Sequence, residues 1–200
     1  MADKYDIILS GVGGQGVLSV AAVISIAAMK DGYTLRQSEV HGMSQRGGAV
    51  LAHMRISKTT IASDLIPKGS ADVVLSMEPM ESLRYVDFLK PVGRLISAAA
   101  PYENIPNYPD LDGIHEKINN LKSSRIIDAK ALAKEAGTMK AVNMVMVGAL
   151  SAELDIRKES IIEAVQEKFG SKGEKIIKAN LAAFELGRKS NRKKADGDNK

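Results

Sequence analysis

A glycine-rich turn near the start of the chain constrains the fold more than any other feature of the sequence. Residues 5–10 (YDIILS) form a short β-prone apolar run, which predicts a buried strand, and residues 11–16 (GVGGQG) follow it directly. Residues 15–30 are rich in Ala, Val and Ile and end before Asp31-Gly32, which predicts a helix and its stop. A strand, a glycine turn and a helix in this order open a βαβ unit.

The rest of the pattern predicts a Rossmann-like α/β domain of three layers. The loop at residues 41–48 is too short for a crossover helix, so the strands on either side of it are expected to be antiparallel neighbours in a mixed, mostly parallel sheet. Beyond Gly137 the pattern is helical, which gives a helical C-terminal third. The expected strands are 5–10, 34–40, 49–56, 71–77, 93–98 and 125–128, and the expected helices are 15–30, 79–88, 129–136, 141–153, 159–169 and 173–186.

The charge of the chain is concentrated at its C-terminal end. Six of the 28 basic residues and two of the 24 acidic residues lie in 188–200, which leaves 22 of each sign in 1–187. A neutral body argues against nucleic-acid binding, because such a surface needs clustered Lys and Arg on a folded face. We therefore expect one domain at residues 1–187 and a basic, disordered tail at 188–200.

Other classes of protein are excluded by what the sequence lacks. The chain has no cysteine, so it can form no disulfide and no cysteine-ligated iron–sulfur cluster, and no His/Asp/Glu group has the spacing of a metal site. The apolar stretch 17–29 is too short to span a bilayer, and no signal peptide precedes it. We expect a cytoplasmic protein that binds neither a metal nor a membrane.

The glycine turn is a candidate binding site for an anion. Residues Gly11, Gly13 and Gly16 fit G-x-G-x-x-G after a strand, and free N–H groups at a helix start favour a phosphate or carboxylate. Two alternatives stay open: a tight turn without any ligand, and stand-alone dinucleotide binding. The second requires an acidic residue at the end of the next strand, and neither Asp31 nor Glu39 meets that requirement well.

A second loop, SEVHGMSQRGG at residues 38–48, places several polar side chains beside paired glycines. If both loops lie at the carboxyl edge of the sheet, they face one crevice. Arg46 is either a bidentate clamp for a carboxylate or phosphate or part of a structural salt bridge. His41 either relays protons or organises the loop through hydrogen bonds.

These two motifs, GVGGQGV and SEVHGMSQRGG, together with the EPME turn at 78–81 and NMVMVGA at 143–149, resemble a known family. The chain is similar to the gamma-type domain of the 2-oxoacid:ferredoxin oxidoreductases, and within it to the beta subunits of the indolepyruvate type. The resemblance covers nearly all of residues 5–186 and excludes the basic tail.

The resemblance implies a subunit that is inactive alone. A large alpha subunit would carry thiamine diphosphate, Mg²⁺ and [4Fe-4S] clusters. The complex would oxidatively decarboxylate an arylpyruvate with coenzyme A, giving an aryl-acetyl-CoA and CO₂ and reducing ferredoxin. The chain would bind no cofactor by itself, and it could form a homodimer when isolated. The residues expected to contact coenzyme A or the end of the substrate are Gly11, Gly13, Gly14, Gln15, Gly16, Ser44, Gln45 and Arg46.

Two other functions compete with this interpretation. The first is a free-standing Rossmann-type oxidoreductase that uses a nicotinamide or flavin. The second is a non-enzymatic assembly or regulatory module, whose removal would change the stability of a partner and leave the partner's chemistry intact.

Overall fold

The computed structural model describes residues 3–41, 47–103 and 105–192. Within them the chain forms a six-stranded sheet, in the order β2-β3-β1-β4-β5-β6, with α-helices on both faces. The strands are β1 (Lys4–Val12), β2 (Thr34–His41), β3 (Ala49–Ser57), β4 (Ala71–Ser76), β5 (Leu89–Ala98) and β6 (Ser124–Ile127). The helices are α1 (Val17–Lys30), α2 (Pro79–Arg84), α3 (Leu111–Asn119), α4 (Ala129–Glu135), α5 (Val142–Ser151), α6 (Lys158–Phe169) and α7 (Glu174–Arg192).

The sheet is mixed and mostly parallel, as the sequence predicts. β3 pairs antiparallel with both β1 and β2, whereas β1, β4, β5 and β6 pair in parallel. β3 is therefore the one described strand that runs against the others. The short connection between β2 and β3 explains this reversal, because it leaves no room for a crossover helix.

Alternating side chains of the sheet build two apolar layers. On one face, Ile7 and Leu9 of β1 pack with α1 and the C-terminal helices. On the other face, Ile8 packs with Ile114 and Ile118 of α3. Both faces of β1 are buried, as expected for a central strand covered by helices on each side. The three-layer prediction is confirmed.

Helices α5 and α7 cross at backbone contact. A Cβ built on Gly148 would lie 2.1 Å from the carbonyl oxygen of Phe184, and one on Gly187 would lie 1.9 Å from that of Val145. No side chain fits at either position, so glycine on each helix is what allows them to touch. Met144 through Ser151 of α5 are all buried, as expected for a helix that is apolar on nearly every side.

The structure departs from the predicted elements in three places. Helix α3 is absent from the prediction, although Asp110 caps it by accepting a hydrogen bond from the backbone N–H of Gly113 at 2.8 Å. The predicted helix 79–88 ends at Arg84 and is followed by a short 3₁₀ turn, Val86–Phe88. The last helix extends to Arg192 rather than Leu186.

The extension of α7 changes the boundary of the tail. Arg188 donates hydrogen bonds to the backbone oxygen and hydroxyl of Ser151 at 2.7 and 2.8 Å, and Asn191 is buried. Residues 188–192 therefore continue helix α7, and Arg188 and Asn191 hold it against α5, which differs from the expected disorder from residue 188 onward. The predicted disorder of 193–200 lies outside the described residues and stays a prediction.

Candidate functional site

The candidate site lies at the carboxyl edge of the sheet, where the chain changes direction across β1. From β1 the chain passes through α1 to the side of β3 and β2, and it then returns to β4 on the opposite side of β1. The loops after β1 and β4 therefore diverge at this point. In open α/β sheets, such a switch point is where ligands bind.

Three glycines of the first loop each have a structural reason. Gly14 and Gly16 have φ values of 103° and 83°, in the left-handed region that side chains disfavour. Gly11 has an ordinary φ, but a Cβ there would lie 2.9 Å from Cβ of Met77. The loop is thus tight, and it packs directly on the end of β4.

Gln15 fastens this loop from inside. Its Oε1 accepts a hydrogen bond from the backbone N–H of Val12 at 2.8 Å, and its Nε2 donates to the backbone oxygen of Met77 at 3.0 Å. The side-chain amide is engaged within the protein through its oxygen and one N–H group, and the predicted contact with an anion stays a prediction. Gln15 is a positioning residue that ties the glycine loop to the end of β4.

The backbone N–H groups of the loop divide into two sets. Those of Gly13 and Gln15 donate to the carbonyl oxygens of Gly48 and Val12 at 2.8 and 3.1 Å. Those of Gly16, Val17 and Leu18 stand at the start of α1, where no preceding turn supplies a carbonyl. The first turn of α1 contains no acidic side chain, so its partial positive charge is left uncompensated.

An open concavity of about 310 Å³ lies over these N–H groups. Gly14, Leu18, Ser19 and Val50 help to line it. Its floor is thus backbone and small side chains, with Leu18 41% exposed at its rim. Such a surface can bind an anion through N–H donors, but among the described residues its lining presents no imidazole or carboxylate that could act as a general base.

The second loop meets the first at this edge, as predicted. The N–H of Gly13 donates to Gly48, and the N–H of Gly47 donates to the carbonyl oxygen of Gly13 at 3.4 Å. His41 is the last residue of β2 and pairs with Val50. The predicted contact residues Ser44, Gln45 and Arg46 lie outside the described residues, and so does the side chain of His41.

A buried carboxylate beside the glycine loop was missed by sequence reasoning. Glu78 has no exposed surface, and its Oε2 accepts a hydrogen bond from the N–H of Glu81 at 2.7 Å, which caps α2. Its Oε1 accepts from the hydroxyl of Tyr108 and from the N–H of Tyr102, the latter at 3.4 Å. Glu78 therefore fastens the loop after β5 to the end of β4.

The ionisation of this cluster follows from its burial. Burial raises the pKa of Glu81, and the nearby Glu78 adds to that effect while Arg84 opposes it. Burial and the hydrogen bond to Glu78 also raise the pKa of the Tyr108 hydroxyl, which keeps it a donor. The Oε2 of Glu81 is buried without a hydrogen bond, although Nε of Arg84 lies 3.3 Å away.

Asn143 is a second residue that sequence reasoning did not place at the site. It lies in the first turn of α5, and its Nδ2 would be 3.0 Å from a Cβ built on Gly16. The sequence signal for this position is in the NMVMVGA segment, where the polar Asn143 interrupts an apolar run.

Neither a metal centre nor a membrane-spanning helix occurs in the parts of the chain that the structure describes. Residues 3–41, 47–103 and 105–192 contain no group of three or more His, Cys, Asp or Glu side chains that could hold a metal ion. None of the helices within those ranges is both long enough and apolar enough to cross a bilayer.

Comparison with known proteins identifies the family. The family described as pyruvate ferredoxin/flavodoxin oxidoreductase matches residues 6–190. Subunit IorB of indolepyruvate oxidoreductase from Thermococcus kodakarensis is 38% identical over 197 residues, covering 94% of this chain and 96% of its own. The corresponding subunit from Archaeoglobus fulgidus is 36% identical, covering 92% and 94%.

Solved structures agree on the fold. The gamma subunit of a keto/oxoacid ferredoxin oxidoreductase from Geobacter sulfurreducens superposes with a TM-score of 0.72 at 24% identity, over 95% of this chain and 97% of its own. The 2-oxoglutarate:ferredoxin oxidoreductase of Magnetococcus marinus gives 0.77 at 23% identity, over 96% of this chain and 32% of that larger chain. The chain described here belongs to the pyruvate ferredoxin/flavodoxin oxidoreductase family.

Proposed function

We propose that this chain is the small, gamma-type subunit of an indolepyruvate-type 2-oxoacid:ferredoxin oxidoreductase. The observation that carries the proposal is the near full-length similarity to IorB subunits, at 38% identity with matching chain lengths. The complex converts an arylpyruvate and coenzyme A to an aryl-acetyl-CoA and CO₂, and its electrons pass to ferredoxin. The proposed location is the cytoplasm.

The redox and thiamine chemistry belongs to a larger partner. The chain has no cysteine, so it offers no thiolate for a [4Fe-4S] cluster, and its described residues hold no candidate site for Mg²⁺. These residues do not fit the cofactors of the reaction. We assign thiamine diphosphate, Mg²⁺ and the clusters to the alpha subunit, ferredoxin to the complex as acceptor, and a homodimer to this chain when isolated.

The glycine loop suits a phosphate of coenzyme A. Its free N–H groups at the start of α1 are donors, and the first turn of α1 carries no competing carboxylate. The backbone of the predicted ligands shapes the concavity over these N–H groups, which we call the cradle. These ligands are Gly11, Gly13, Gly14 and Gly16. Gln15 holds the cradle in place, and the proposed contacts of Ser44, Gln45 and Arg46 complete it from the second loop.

The competing dinucleotide function is not favoured by the topology. The strand beside β1 on the β2 side is β3, which begins at this edge instead of ending there. The place where a dinucleotide fold presents its acidic ribose ligand therefore holds Ala49 and Val50. Glu39 sits one strand further away, on β2, where it accepts a hydrogen bond from Gln37.

Co-purification with an activity assay tests the proposed function. A tagged chain expressed with its genomic neighbours should bring down a large iron–sulfur, thiamine-dependent subunit. The isolated chain should be inactive, and the complex should reduce ferredoxin with indolepyruvate only when coenzyme A is present. An active, single-component protein, or a complex without thiamine chemistry, would contradict the proposal.

A negative charge introduced at the cradle tests coenzyme A binding there, separately from the assembly of the complex. Ser19 lies in the first turn of α1 and lines the concavity, so Ser19→Asp adds a carboxylate where an acidic side chain also favours the helix. We expect the KM for coenzyme A in the complex to rise by about tenfold or more, since two like charges near a protein surface repel each other by a few kcal/mol. Ser19→Asn is the matched control and should leave KM within about twofold. Equal KM values for both variants would exclude the cradle as the binding site for a phosphate of coenzyme A.

A further inference from the structure

The strand at the end of the sheet furthest from β2 leaves one backbone edge unpaired. β6 pairs with β5 alone, and the N–H groups of Leu95 and Ala99 donate to the carbonyl oxygens of Ser123 and Ile127 at 2.9 and 2.8 Å. Since backbone groups alternate in direction along a strand, those of Ser124 and Ile126 point away from β5. No described residue supplies them with a hydrogen-bond partner.

This edge forms the floor of a groove. A space of about 610 Å³ runs along β6, with His115 and Asn119 of α3 on one wall and Leu132 and Ser190 of α4 and α7 on the other. A second space, of about 420 Å³, continues it past the start of β6 and shares Asn119, Ser124 and Arg125. The groove thus lies between the two helical layers, in the plane of the sheet.

The groove has the position that a further strand needs. A neighbouring strand lies about 4.8 Å away in the hydrogen-bonding direction, which places it between the walls formed by α3 and by α4 and α7. The same walls flank the β6 of a second copy, which opposes an edge-to-edge dimer through β6. An extended peptide without flanking helices meets no such opposition.

The charges that line the groove select the occupant. Lys122 is exposed and Arg125 is half-buried, and neither has an ion-pair partner among the described residues. Arg94 adds a third cation, paired with Glu153 at 2.7 Å. Among the described residues the lining holds one carboxylate, that of Asp128, and it caps α4 through the N–H of Ala131 at 3.0 Å.

We propose that the free edge of β6 receives an extended, acidic peptide segment of a partner chain, which adds to the sheet as a seventh strand. The backbone groups of Ser124 and Ile126 supply the hydrogen bonds. Lys122 and Arg125 supply the preference for carboxylate side chains. This interaction surface is separate from the glycine loops, and it does not depend on the proposed enzymatic function.

Peptide binding to the full chain tests this surface. The probe is a fluorescein-labelled hexapeptide of alternating glutamate and valine, and fluorescence anisotropy measures its affinity. The comparison peptides alternate lysine and valine, or carry N-methyl groups on the amides of one edge. We expect the acidic peptide alone to bind, with an affinity that falls as salt is added.

Ser124→Pro removes one outward N–H from the first residue of an edge strand, where proline is tolerated. It should weaken binding of the acidic peptide by about tenfold or more, because the carbonyl of the peptide loses its donor. Ser124→Ala keeps the N–H and should bind within about twofold of the wild type. Lys122→Glu with Arg125→Glu should abolish the acidic preference.

Three results would overturn the proposal. They are equal binding of the acidic and basic peptides, equal binding of the N-methylated peptide, and a concentration-dependent dimer of the chain that Ser124→Pro abolishes. The N-methylated peptide addresses the wild-type chain, so the test stands even if Ser124→Pro does not fold.

Discussion

Replacing Gly148 by alanine should destabilise the domain strongly, because it separates two helices that touch through their backbones. The new Cβ would lie 2.1 Å from the carbonyl oxygen of Phe184, whereas ordinary contacts begin at 3.4 Å. Helices α5 and α7 must therefore move about 1.3 Å apart, which is the difference between these two distances. Both helices form part of one close-packed core, so the shift also opens voids among their neighbours.

Overpacking of this kind destabilises by about 1–3 kcal/mol and occasionally more. The contact here is with backbone, which cannot rotate away, so we expect about 3 kcal/mol. For a chain of this length, about 3 kcal/mol corresponds to a fall in Tm of roughly 6–12 °C. Urea unfolding followed by circular dichroism, together with calorimetry, measures both quantities.

Gly113→Ala is the matched control, since it makes the same change inside a helix. Its Cβ would lie 3.4 Å from Oδ2 of Asp110, at the start of ordinary contact. Alanine should raise stability by about 0.5–1 kcal/mol through helix propensity. A Gly148→Ala variant within about 0.5 kcal/mol of the wild type would refute the backbone-contact argument.

Three further predictions concern named side chains. Gln15→Met removes both hydrogen bonds that fasten the glycine loop, so it should lower stability by about 1–3 kcal/mol in urea unfolding; unchanged stability would contradict the positioning role. Glu81→Gln should raise the free energy of unfolding at pH 7, and this gain should disappear below the usual pKa of Glu, because a raised pKa in the folded state means that only the ionised form is destabilised. An equal gain in stability at pH 4 and pH 7 would exclude the ionisation of Glu81 as its cause. Burial raises the pKa of Asp31, but hydrogen bonds from Ser160 and Arg157 outweigh it and leave that pKa lowered. Asp31 therefore stabilises the fold at pH values above its unfolded pKa, and this contribution is lost as the pH falls through the lower folded pKa. Asp31→Asn should therefore make the free energy of unfolding fall less steeply as the pH is lowered. An unchanged fall in stability at acid pH would contradict this role of Asp31.

Much of the fold could be predicted from local pattern. The apolar run before Gly11 predicts β1, and the short loop at 41–48 predicts the antiparallel neighbour. Helix α3 was missed because it follows a proline-rich stretch and contains Gly113, both of which oppose a helix locally. Its apolar pair, Ile114 and Ile118, packs against the sheet and outweighs that preference.

The site was harder to predict, because its chemistry depends on distant contacts. The sequence pattern predicts that Gln15 is a ligand-binding side chain in a polar loop. In the structure its side chain donates a hydrogen bond to Met77, which is 62 residues away in the chain. Glu78 lies in a turn whose sequence gives no sign of burial, yet it is fully buried and accepts a hydrogen bond from Tyr108, 30 residues later. The basic composition after Gly187 suggests disorder, whereas Arg188 makes specific bonds to Ser151. Sequence patterns detect residues that recur at a regular spacing, whereas these contacts join single residues that lie far apart in the chain.

Hydrogen–deuterium exchange on the chain, alone and in complex with the larger subunit, measures whether a cofactor-bearing partner covers the glycine loops at the carboxyl edge of β1. We expect backbone N–H groups of residues 13–19 and 47–50 to become protected on assembly, while the amides along the β2 edge exchange as before. Protection confined to other surfaces, with the glycine loops exchanging equally in both states, would contradict the account.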